Sequence, residues 1–115
     1  MTDVLAFRDA YAQFRAIPYP AYPKSQELRD WNSRLLALDA HVAGYAFQVS
    51  AGQILACDVP DLDSLVGKVT ESILSLEEID PSVEEDAGLA SEYRSYVAAL
   101  GRLVSELGDL ASRGK

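Results

Sequence analysis

Residues 25–56, SQELRDWNSRLLALDAHVAGYAFQVSAGQILA, decide the fold class of this chain. Leu28, Trp31, Leu35, Leu38, Val42, Tyr45 and Val49 recur at alternating three- and four-residue steps. That spacing is the seam of an amphipathic helix packed against other helices. Leu36, Ala40, Ala43 and Phe47 repeat at the same period on roughly the opposite side, because each residue turns the helix by ~100°. Between Leu35 and Phe47 only Asp39 and His41 are strongly polar. A helix apolar on both faces is usually buried on more than one side. The plainer expectation is therefore that it lies at the centre of the monomer. The alternative is that its second face meets another subunit. Ala40, Ala43, Gly44 and Ala46 are small enough to let another helix approach closely. Gly52 weakens the last turns, so the helix is expected to fray between Ser50 and Cys57, with Ile54, Leu55 and Ala56 able to extend it to about residue 56.

Upstream, residues 2–16 read as a first helix. Thr2 is placed to cap it, and Val4, Phe7, Tyr11 and Phe14 form its apolar stripe. Ile17-Pro18-Tyr19-Pro20-Ala21-Tyr22-Pro23 ends it, since prolines remove backbone donors and push their predecessors toward extended geometry. The expected product is a stiff connector whose tyrosines cover the end of the core with their hydroxyls wet. The other reading is an aromatic strip, Tyr19 and Tyr22, that a partner could bind. Ser25 can cap the second helix.

Downstream, Asp58-Val59-Pro60-Asp61 is a turn. Leu62, Val66, Val69, Ile73 and Leu76, widened by Leu65 and Leu74, predict a third helix over 62–79. Asp80-Pro81 is a helix-start signal. The fourth helix is expected over 81–112, with a seam of Ala90, Tyr93, Val97, Leu100, Val104 and Leu107 and a flank of Leu89, Tyr96, Leu103 and Leu110. Gly88 could mark a break in it. Four helices with short connections predict an all-α, antiparallel up-down-up-down bundle, and 115 residues make it a single domain over 1–115.

Charge is uneven. Residues 1–57 hold five acidic and five basic side chains, and residues 58–115 hold thirteen acidic and five basic, so the whole net charge of −8 lies in the second half. Such a surface disfavours nucleic acid and anionic membrane and favours a basic protein partner. One cysteine, Cys57, makes no internal disulfide, and the first residues lack the pattern of a secretory signal. A reducing cytoplasm of bacterial type is the expectation.

Catalytic chemistry finds little support. The one histidine, His41, follows Leu38 by three residues, so the Glu-x-x-His pairs of di-metal bundles are missing. Zinc would need more ligands than Cys57 and His41 supply. Leu65 and Val66 interrupt any calcium loop begun at Asp61, and no glycine-rich phosphate loop occurs. No metal, no cofactor and no enzymatic activity are expected. Asp39 is expected to pair with an arginine of a neighbouring helix, such as Arg8, Arg94 or Arg102, since half-buried carboxylates normally have a partner.

The densest polar feature is Glu77, Glu78, Asp80, Glu84, Glu85 and Asp86, with no basic residue among them. Acids favour a helix start by ~0.3–1 kcal/mol each and disfavour a helix end. Helix energetics thus account for Glu84, Glu85 and Asp86 but not for Glu77 and Glu78. The sequence therefore points to a non-enzymatic interaction module, of the adaptor, immunity or antitoxin kind by composition. It would dock a basic partner at this acidic turn, at Tyr19 and Tyr22, or on the second face of the long helix, which could also form a homodimer. The competing expectation is a bundle holding a small apolar ligand among Phe14, Trp31, Tyr45 and Tyr93.

Overall fold

The computed structural model describes residues 2–24, 26–78 and 86–113. They form four α-helices, α1 (Thr2–Ala16), α2 (Gln26–Ser50), α3 (Leu62–Glu78) and α4 (Asp86–Arg113), with one 3-10 turn at Ala56–Asp58. Among the described residues there is no strand. The class is all-α and the arrangement a bundle. The expected start of the fourth helix at Asp80-Pro81, and the cap at Ser25, lie outside the described residues. Gly88 sits inside α4 without interrupting it.

Side-chain contacts give the helix directions. Phe14 packs on Tyr96 while Asp9, earlier in α1, bonds Arg102, later in α4. Gly101 faces Ile73, and Gly108 faces Val66. Residue numbers therefore rise on α1 and α3 as they fall on α4. Trp31 of α2 donates to the Ser72 carbonyl of α3 at 2.9 Å. Trp31 and Asp39 meet Tyr93 and Tyr96 in the same order, which makes α2 and α4 the parallel diagonal pair.

The centre of the bundle is α4, not α2. Tyr93, Val97, Leu100, Leu103, Val104 and Leu107 are almost wholly buried. Both α1 and α3 pack along α4, while α2 leans on α3 and scarcely approaches α1. The core face of α2 is the expected seam, with Leu28, Trp31, Leu35, Leu38 and Val42 buried. Its second face is not covered, which overturns the central placement within the monomer. Leu74, expected to widen the stripe of α3, is also exposed.

Helix α2 ends at Ser50, earlier than its pattern suggests. Gly52 takes a left-handed conformation, φ 75°. The Gln53 amide then bonds the Gln48 carbonyl at 2.9 Å and the Gly52 amide bonds that of Val49 at 3.1 Å. This pair of bonds is a Schellman motif, which satisfies the last carbonyls and turns the chain away. Gly52 stops the helix rather than weakening it.

Candidate functional site

The outward face of α2 is the most unusual surface of the molecule. A surface helix ordinarily places charged and polar residues opposite its core stripe. Here the exposed residues after Arg34 are Leu36, Ala37, Ala40, His41, Gly44, Phe47 and Ser50, with no Asp, Glu, Lys or Arg among them. Leu36 is 45% exposed and Phe47 55% exposed, and Ala40 and Gly44 are open to solvent between them. Contiguous apolar patches of this kind mark contact surfaces, whereas isolated exposed apolar residues do not. The sequence pattern picked out Leu36, Ala40, Ala43 and Phe47 as a second face, and the fold leaves Leu36, Ala40 and Phe47 exposed while Ala43 is half-buried against the core.

The proline connector seals one end of the bundle. Tyr19 lies edge-on against Tyr93 and Tyr96, and its hydroxyl donates to the side-chain oxygen of buried Asn32. The Tyr93 hydroxyl donates to the Ala21 carbonyl at 3.0 Å. Pro23 is buried, and the Arg29 guanidinium donates to its carbonyl at 2.8 Å while lying 5.2 Å from the centre of the Tyr22 ring. Tyr19 is thus committed to the interior, and only Tyr22, 67% exposed, presents a ring outward.

Asp39 takes a tyrosine rather than an arginine. The Tyr96 hydroxyl donates to its carboxylate at 2.6 Å. Arg102 pairs instead with Asp9 at 2.9 Å and bonds Gln13. Burial raises the Asp39 carboxyl above the ordinary carboxylate range, and the Tyr96 hydrogen bond opposes that rise. The Tyr96 hydroxyl is raised by burial first and by the carboxylate beside it second. The Tyr19 hydroxyl is raised by burial, then by Tyr93 and Asp39. These groups tie the connector, α2 and α4 together.

Three of the residues expected to hold a ligand, Phe14, Trp31 and Tyr93, are buried in ring-to-ring contacts. Phe14, Trp31, Tyr93 and Tyr96 pack against one another or against Tyr19 with ring centres about 5–6 Å apart. An apolar cleft of about 320 Å³ lies at the other end instead, lined by Phe7, Arg8, Val49, Ile54, Leu55 and Leu110 among others. It exists because Gly52 ends α2 early and returns Ile54 and Leu55 toward α1. The sequence signal for it was Gly52 followed by an apolar triplet. Cys57 borders this cleft as a free, partly exposed thiol.

Of the acidic cluster, Glu77 and Glu78 are exposed at the end of α3. Asp80, Glu84 and Glu85 lie outside the described residues, and Asp86 begins α4. Among the described residues, no three His, Cys, Asp or Glu side chains gather as metal ligands. Among the described residues, no helix is long and apolar enough to cross a membrane. No known family, curated protein or solved structure matches the chain.

Proposed function

We propose that this protein is a non-enzymatic interaction module whose docking surface is the outward face of α2, taking a helix of another polypeptide chain. The observation that carries the reading is a long helix whose exposed residues after Arg34 are Leu36, Ala37, Ala40, His41, Gly44, Phe47 and Ser50, with no Asp, Glu, Lys or Arg among them. Exposing Leu36 and Phe47 leaves apolar area in water that a helix–helix contact would remove at ~25 cal/mol per Å². The acidic turn, Glu77, Glu78, Asp80, Glu84, Glu85 and Asp86, is a separate element of the proposal. It would attract a basic surface. A cytoplasmic setting is proposed with it, on the single cysteine.

A photo-reactive amino acid at Ala40, with a control at exposed Glu92, tests this in cells of the host. The reading expects an adduct of fixed mass from position 40 and none from position 92. No adduct from either position would end it.

A second reading rests on the cleft between α1, the Gly52 turn and α4. Its apolar walls and the single cation of Arg8 at the rim suit a small amphipathic anion. Native mass spectrometry of protein from its own host would show such a ligand as an added mass lost on stripping. An unmodified mass removes this alternative.

A further inference from the structure

The outward face of α2 reads alike in both directions. Leu36, Ala40, Ala43 and Phe47 follow one another at steps of four, three and four residues. The midpoint of the outer pair and of the inner pair is the same, between His41 and Val42. We propose that this face is closed by a second copy of the chain, antiparallel to the first, about a two-fold axis passing between His41 and Val42. The proposal rests on the reading of α2 as the docking face and names its occupant.

In this register Leu36 meets Phe47 of the partner subunit, and Ala40 meets Ala43 of the partner subunit. Large residues close the two ends, and small ones let the helix axes come near at the middle. The steps match the alternating spacing that seats one helix against another. A two-fold interface requires a self-complementary patch, which this pattern supplies.

Charge selects a second copy over a basic partner at this face. Between Leu36 and Phe47 the one Asp, Glu, Lys or Arg is Asp39, whose carboxylate is held by the Tyr96 hydroxyl of its own subunit, and the entire net charge of −8 arises after residue 57. Two copies meeting along this stretch bring no other acid or base into the contact. A basic partner would bury cations against a surface whose single carboxylate is already bonded. The strip from Ser33 to Ala51 is ~27 Å long at 1.5 Å per residue. That is at the small end for specific interfaces, so the dimer should form with rising concentration rather than permanently.

Sedimentation equilibrium on the full chain over a concentration series tests the proposal. Wild-type mass should rise from 12.5 kDa toward twice that value. Leu36→Glu and Phe47→Arg should each weaken self-association by about a hundredfold, because each places a charge in an apolar contact. The combined variant should recover it. Across the axis the introduced carboxylate meets the introduced guanidinium, whereas eleven residues of one helix hold them ~16 Å apart. Both positions are exposed, and unchanged circular dichroism will confirm that the fold is kept. A dimer indifferent to the single changes, or not restored by the pair, overturns this interface. A wild-type monomer at every concentration overturns the second copy as occupant. In that case a different protein captured from Ala40 keeps the docking face, and no capture removes both.

Discussion

At the scale of single residues, Asp39 and Tyr96 show how an acid is accommodated beside an apolar core. The Asp39 carboxyl is raised above its ordinary value of 3.8, so the folded state holds its proton more tightly than the unfolded chain. Stability from this group is complete below the unfolded value and is lost as pH rises through the folded one. Asp39→Asn should therefore gain stability relative to wild type as pH is taken from about 3 to 7. Thermal midpoints measured across that range would show the two curves separating, and parallel curves would remove the account. Tyr96→Phe deletes the donor to the carboxylate and should cost about 1–2 kcal/mol at neutral pH, read by urea titration. The partner of Asp39 was not legible in the sequence, where arginines looked the natural choice. Tyr96 lies fifty-seven residues away, and its pattern announces only an apolar flank. Likewise, nothing local told Asn32 from its polar neighbours, because its burial depends on where the connector folds back.

At the scale of elements, the sequence located all four helices because each has a sustained apolar period. It misplaced the end of α2 because Ile54-Leu55-Ala56 continues the composition of a helix past its geometric stop. The decisive term is the left-handed backbone at Gly52, which an L-residue reaches at a cost of ~1–2 kcal/mol. Gly52→Ala should lower stability by about 1 kcal/mol. Gly67 makes the opposite case, since it is exposed inside α3 with nothing within 4 Å of an added Cβ. Gly67→Ala should raise stability by about 1 kcal/mol, and chemical denaturation of both variants beside wild type would expose an error in either sign.

At the scale of the whole molecule, the ranking of helices is what the sequence concealed. Both α2 and α4 carry broad apolar faces, and periodicity alone does not say which is surrounded. The fold assigns the centre to α4, where Leu100 is fully buried, and leaves the second face of α2 in water. The candidate surface was therefore legible as a residue set, Leu36, Ala40, Ala43 and Phe47. Its exposure was not, because that depends on α1 packing on α4 instead of on α2. The chain contains three phenylalanines, which makes this claim directly measurable. Phe7 and Phe14 are buried at 2% and 6% exposure, while Phe47 stands 55% exposed on the outward face of α2. Fluorine NMR of fluorophenylalanine-labelled protein reads all three at once through their response to deuterated water. As the protein is concentrated, the Phe47 resonance should lose that response while Phe7 and Phe14 stay unchanged. A Phe47 resonance that remains fully solvent-sensitive at every concentration, and in extract of the host, would contradict the account.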